Sequence, residues 1–546
     1  MPPTSRPQVI SISPASAAHG RGDGASAPLH EAPRWVQALV TLLLIALIVG
    51  AVAIAGALAL AHARDRNWIN IASGSWIALG WHAEHGALYP PLRDDAGTFG
   101  GTRYMPLHIL LHAGLRHAIG SRASNAEAWL VSGRAIAFAS ALAWALAIIA
   151  LARLRGCPYV VAGALAACVV ASPTGVQALC TIRSDGLALA LQLWALWIIS
   201  RRTGPAAGAI AGVLCALAFL AKLTAVWAAL AIGLWLLWRN RTSLVAFVAT
   251  GALVAGGGLL MLNMTTDGRL VENLLHSGAT GWQGWGSVIT WSQRRMLGFV
   301  SEWSPTTWVL VPPAALAVLL AAARRDLNVL HIAWVACCGV LAVMFADIGV
   351  GENHILELAA ITAVVAGDLW SRAGAVQDST TPGDDAPSVV RLPWTVAQLL
   401  IACAVGWSSQ AVIKQRLWQD ISRAVSAIRS GQPEPSDDPH ALDNLLAGKR
   451  FFSDDPTLAV LLDQKPVISD AFIFRGFEQS HREWIDEFMA RIAAREFDVI
   501  ALTYEADPDS WWYRELFLGP DVTKAIQQHY AQTESIGGYV IYRPRE

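Results

Sequence analysis

Apolar runs dominate this chain and limit what it can fold into. They lie at approximately 36–61, 135–152, 158–180, 186–200, 207–221, 223–238, 244–264, 307–323, 328–349, 355–371 and 393–413. The hydrocarbon core of a bilayer takes roughly 20 apolar helical residues to cross, so these runs predict about eleven to twelve transmembrane helices. Composition agrees. Hydrophobic residues make up 54% of the 546 residues and charged ones 15%, against roughly 25% charged in ordinary globular chains, and mean hydropathy is +0.42. A net charge of −1 supplies no basic field to hold nucleic acid, so none is expected as a partner.

Arginine sets the expected orientation. Arg34 precedes the first run, and Arg153 with Arg155, Arg201 with Arg202, Arg239 with Arg241 and Arg324 with Arg325 follow alternate runs. All fall on one side if the N-terminus is cytoplasmic, which satisfies the positive-inside rule. Residues 105–119 are apolar but short and carry His108, His112, Arg116 and His117; a crossing there would reverse every later cluster, so a re-entrant or interfacial helix is predicted. Residues 1–33, rich in Pro, Ser, Ala and Gly, read as a disordered cytoplasmic tail, 34–413 as the membrane domain with a first outer loop at 62–134, and 372–392 as a polar cytoplasmic linker. Beyond 413 come an amphipathic stretch, AVIKQRLWQDISRAVSAI, and alternating strand and helix signals: RFFSD, PVISD, DVIALTY and GGYVIYR are β-rich, and EWIDEFMARIAAREF has helical period. Residues 414–546 therefore read as an amphipathic helix and a small α/β domain on the outer side.

The seven cysteines lie in or beside apolar runs and indicate neither disulfides nor zinc. His82 with His85 and His108 with His112 lack a third ligand at fixed spacing, so a metal is not indicated and no cofactor is required. Trp282, Trp285, Trp291 and Trp303 read first as an interfacial aromatic belt and second as a stacking platform for sugars or prenyl chains.

Ionisable groups at the ends of apolar runs are site candidates, because charge near a bilayer is costly. Asp65 and Arg66 follow the first run, and Asp94, Asp95 and Arg103 lie in the same loop. Arg183 and Asp185, Lys222, and Glu352 with His354 and Glu357 occupy later turns on the same side. Each alone reads more simply as a helix cap or anchor; their co-location argues for a shared cavity. Lys222 stands between two apolar runs with no loop to solvate it and needs an anionic partner, either Asp185 or a phosphate.

These residues resemble a family. Asp65, HGALYPP at 85–91, RYMPLHILLHA at 103–113 and Arg134 look like the opening of the GT-C membrane glycosyltransferases, which include the protein O-mannosyltransferases, the lipid A aminoarabinose transferase and the rhizobial lipopolysaccharide galacturonosyl transferases. TIRSDGLALAL at 181–191, FLAKLTAVW at 219–227 and GVGENHILELAAITAV at 349–364 continue the resemblance in order, and the tail from FFSDDP to FDVIAL is similar to the soluble domain of bacterial members. Two departures stand out: Asp65 is followed by Arg66 rather than a second acid, and Arg103 replaces the usual Lys. The resemblance implies transfer of a sugar from a polyprenyl-phosphate donor to a lipid, envelope-glycan or protein acceptor at the outer face of the cytoplasmic membrane. Asp65 would be the general base of an inverting displacement, and Arg103, Tyr104, Arg183, Asp185, Lys222, Glu352 and His354 would line the substrate and phosphate site. The competing readings are a transporter or lipid flippase, against which no internal repeat is visible, and a non-catalytic protein of the same fold.

Overall fold

The computed structural model describes residues 34–62, 71–120, 125–278, 282–378 and 439–546. The expected N-terminal tail, Asp65, the run at 393–413 and the amphipathic stretch after it lie outside the described residues.

The membrane part is helical: α1 Arg34–His62, α2 Ile71–Glu84, α3 Pro106–Ile119, α4 Asn125–Leu154, α5 Tyr159–Val170, α6 Pro173–Cys180, α7 Asp185–Arg201, α8 Pro205–Ala221, α9 Trp227–Arg239, α10 Arg241–Thr265, α11 Arg269–Gly278, the single turn α12 Trp285–Ser287, α13 Gln293–Trp303, α14 Pro305–Ala323, α15 Val329–Met344 and α16 Ile355–Asp378. Its core gathers the buried Trp144, Trp227 and Trp370 among alanine-rich helix faces. Helix α3, at 14 residues, reaches about 21 Å and is too short to cross.

The apolar runs fold into helices of unequal length. Among the described residues three helices are long and apolar enough to span, within Ala38–Leu58, Glu127–Leu154 and Arg241–Thr265, and two bent pairs bring the number to five. The run at 158–180 is such a pair, bent by 71°. Pro173 has no amide to continue α5, and Ser172 caps α6 by accepting from Gly175 N at 3.1 Å. The run at 223–238 is helical only from Trp227, giving 13 residues, and α15 ends at Met344 after 16. In each case a polar turn takes residues that hydropathy assigns to the span. The polar stretch from 372 also differs from expectation, since α16 continues to Asp378; no proline interrupts it before Pro382.

At the end of the bundle opposite Lys222, the Arg155 guanidinium donates to Asp368 at 2.6 Å, and Asp368 also meets His331 Nε2 at 3.0 Å. This ties the loop after α4 to α15 and α16.

Residues 439–546 form an α/β domain. Its sheet has the order β1-β2-β4-β3, with β1 Phe451–Ser453 parallel to β2 Val499–Leu502, and β4 Tyr539–Pro544 antiparallel to both β2 and β3 Tyr530–Ile536. Helices α17 Pro439–Leu446, α18 Thr457–Leu461, α19 Ala471–Ser480, α20 Arg482–Ala493 and α21 Pro520–His529 accompany it. PVISD is not a strand of this sheet. It runs beside the first loop instead: Phe99 N donates to Val467 O at 2.7 Å and Ser469 N to Phe99 O at 2.9 Å.

That pairing makes the loop part of the domain. Phe99 is buried in the domain core, with ring centroids 4.8 Å from Phe474 and 5.5 Å from Phe488. The Arg491 guanidinium donates to Gly97 O at 2.6 Å, and Lys465 pairs with Asp94. Replacing Phe99 by Ala should destabilise the protein by about 3–5 kcal/mol, the usual cost of emptying a buried aromatic site. Thermal melts in detergent check this, and limited proteolysis should show new cleavage between 92 and 101; a melt like that of the parent would mean the loop merely lies on the surface.

Candidate functional site

Three helix ends meet at Lys222. The residue ends α8 in an extended conformation, φ −150° and ψ 117°, which turns its side chain away from the helix axis. Its ammonium lies 2.8 Å from Asp185 Oδ1, at the first position of α7, and 2.8 Å from Glu357 Oε1, in the first turn of α16. All three residues are buried. Acidic residues suit helix N-termini, where they face the positive end of the dipole. With two carboxylates on one ammonium the group carries a net charge of −1, and one of the three ammonium hydrogens remains. Asp185 is therefore a partner of Lys222, and Glu357 is a second partner that the sequence marked as charged without revealing its contact.

The turn before α16 supplies the next layer. Asn353 Nδ2 donates to Asp185 Oδ1 at 2.7 Å, and Glu352 accepts from Gln177 Nε2 of α6 at 2.7 Å. The backbone of this turn is clamped by Arg295, whose guanidinium donates to the carbonyls of Asp347 at 2.6 Å, Ile348 at 2.7 Å and Val350 at 2.8 Å. Arg103 reaches the same turn: it lies 3.7 Å from Asp347 and donates to Gly349 O at 3.3 Å. Its guanidinium also sits 4.4 Å above the ring of Phe472, in the first turn of α19. Gly349 has to be glycine for this approach, since a Cβ there would fall 2.4 Å from Phe472 and 2.9 Å from the Arg103 guanidinium.

Tyr104 stacks on Trp76 with ring centroids 4.3 Å apart. The charges of Asp470, Arg103, Arg183 and Asp185 all act on its hydroxyl, and those of Lys222, Asp185, Arg103 and Arg183 act on His354. The structure thus brings Arg103, Tyr104, Arg183, Asp185, Lys222 and His354 together, with Glu352 at the margin through Gln177. Several buried polar atoms here have no hydrogen-bond partner among the described residues: Arg183 Nε, His354 Nδ1, Glu357 Oε2 and Asp470 Oδ2. Buried polar atoms are ordinarily paired, so this cluster has hydrogen-bonding capacity that the described residues leave unused.

Other candidates lie apart. Asp94 accepts from Thr98 and pairs with Lys465, which makes it a loop-fixing residue. His82 bonds Ser469 Oγ at 2.9 Å, and burial, with Lys465 and His85 nearby, holds it down at about 4. His85 stacks on Trp81, and His112 bonds Trp129 O at 2.9 Å. Trp282 and Trp285 pack edge to face on an exposed surface. Sequence reasoning missed Asn353, Gln177, Arg295, Asp347, Asp470 and Phe472 as site residues. Asp347, an acid inside the apolar run at 328–349, and Arg295, a charge inside an apolar-aromatic segment, carried a usable signal.

The fold is shared with a solved membrane protein. Among solved structures, the chain is similar to ArnT from Cupriavidus metallidurans bound to undecaprenyl phosphate, at 12% identity over 91% of this chain and 97% of that one, with a TM-score of 0.55. The apo state of the same protein gives 13% identity, the same coverage and 0.54. No protein-family model and no curated protein matches the chain. At these identities the likeness establishes the fold.

Replacing Lys222 by Met should cost about 3–5 kcal/mol, because it leaves two buried carboxylates without a counter-charge. Adding Glu357→Gln to Lys222→Met should restore part of that loss. Thermal unfolding of the three proteins in detergent checks the pair, and a single variant as stable as the parent would show that the ammonium is solvated.

Proposed function

We propose that the protein is a membrane glycosyltransferase that moves a sugar from a polyprenyl-phosphate carrier to an acceptor at the outer face of the cytoplasmic membrane, by inverting displacement. The observation that carries this reading is the set of unpartnered nitrogens on Arg183 and His354 beside an ammonium already engaged by two carboxylates, in a fold shared with a protein solved bound to undecaprenyl phosphate.

The chemistry follows from charge. When the bond between the anomeric carbon and the phosphate oxygen breaks, the electron pair leaves on the phosphate, and the anion needs donors already in place. Arg183 offers an unused N–H, the one remaining Lys222 hydrogen can add to it, and Arg103 supplies a second guanidinium. Asp185 and Glu357 hold Lys222; Arg295 fixes the turn that presents Asn353 and His354. The acceptor hydroxyl must lose its proton as it attacks, and Asp65 is the proposed general base. It follows the end of α1 by three residues (65 − 62).

The test is sugar release from radiolabelled prenyl-phosphate sugars by the purified protein in detergent. Arg183→Met should lower release by about 10²-fold or more, the usual effect of removing one preorganised donor, and Asp65→Asn by about 10²–10⁴-fold. Full activity in Arg183→Met would remove the phosphate from this cluster. Full activity in Asp65→Asn would move the base elsewhere.

A further inference from the structure

Asp470 differs from the other buried carboxylates of the C-terminal domain. Asp454 uses both oxygens: Oδ1 accepts from Thr503 N at 3.0 Å, and Oδ2 from Thr503 Oγ1 at 2.7 Å and the Tyr513 hydroxyl at 3.0 Å. Asp455 does the same with Thr457 N at 2.9 Å and the Tyr539 hydroxyl at 2.7 Å. Asp470 spends only Oδ1, which accepts from Phe472 N at 3.0 Å and Ile473 N at 3.2 Å and so caps α19. A cap needs one side-chain oxygen, and Ser or Asn would serve. Oδ2 is buried and has no partner among the described residues, in a residue only 3% exposed.

The position of that oxygen is fixed from two sides. Ser469, the preceding residue, is held by His82 of the first loop. Phe472, two residues on, lies under Arg103 and against Gly349. Burial pushes the Asp470 carboxyl up to about 6 against the pull of Arg103 and the two amides. Asp470 thus lies in the turn of the C-terminal domain that Arg103 reaches through Phe472, whereas Asp185, Lys222 and Glu357 sit at helix ends of the membrane part. A carboxylate oxygen accepts hydrogen bonds and repels phosphate, so the carrier's anionic end is not its ligand.

We propose, resting on the glycosyltransferase reading above, that Asp470 Oδ2 accepts a hydrogen bond from a hydroxyl of the sugar acceptor and orients it for attack. The acceptor class this selects is a polyhydroxylated headgroup or glycan presented from the side of the C-terminal domain. A polyol can bond Asp470 through one hydroxyl while another attacks, which water, with its single oxygen, cannot do.

Partition of the sugar between water and a polyol tests this. The full-length protein in detergent is given a radiolabelled prenyl-phosphate sugar that it turns over, with glycerol or methyl glucoside as the probe acceptor, and free sugar is separated from glycoside. Asp470→Asn and Asp470→Ser both keep a capping oxygen. Each should lower the ratio of glycoside to free sugar by about tenfold or more and raise the apparent KM for the polyol, as expected when a charge-assisted hydrogen bond to one substrate is lost. An unchanged ratio in a folded variant overturns the proposal. So does an equal fall in both products, which would assign Asp470 to the donor, and so does failure of both variants to fold, which would assign it to the domain core. A parent protein that releases no sugar from any donor overturns the glycosyltransferase reading itself, and the proposal with it.

Discussion

A buried ammonium must be neutralised by groups held at hydrogen-bond distance, and that requirement organises the membrane part of this protein. Lys222 meets Asp185 and Glu357 where α8 ends and α7 and α16 begin. The breaks shorten the helices and leave non-helical backbone beside the ion group. Non-helical backbone within a bundle is tolerated where it is covered by protein or lines a polar cavity. In the proposed reading, the same turns that bring the ion group together also line the ligand site. The net charge of the group is negative, so Lys222 alone does not attract an anion; Arg183 and Arg103 have to supply the excess.

The second constraint is mechanical. The C-terminal domain does not hang from the last helix alone, because Phe99 of the first loop fills part of its core and 467–469 runs beside the loop backbone. Arg103 follows Phe99 by four residues (103 − 99), and Phe472 follows the paired Ser469 by three (472 − 469). Holding Phe99 in register thus sets Arg103 over Phe472, and Arg103 in turn reaches Asp347 and Gly349. Loop, domain and the turn before α16 form one connected wall.

Much of the membrane site was legible because a charge inside an apolar run has few explanations. Asp185, Lys222, Glu357 and His354 stand out for that reason, and hydropathy locates their helices. What hydropathy does not read is where a helix stops: residues 222–226 look like the start of a span and are a turn. Contacts between distant segments were also invisible. Phe99 and Ile468 carry no periodic signal that pairs them, and Asp470 reads locally as an ordinary helix cap. Strand β3 was missed because it lies at the sheet edge with most of its side chains in solvent, so YAQTESI shows no apolar alternation. PVISD has the composition of a strand, but its partner is the loop and not the sheet.

In the proposed reading, the carrier's phosphate sits between Arg183, His354 and Lys222. A density map of the purified protein with undecaprenyl phosphate tests it most directly. The account predicts the phosphate within hydrogen-bond distance of Arg183 Nε and beside Lys222, with the prenyl chain leading away from the C-terminal domain. A phosphate seated elsewhere, with the Arg183 and His354 nitrogens still unpartnered, would contradict it.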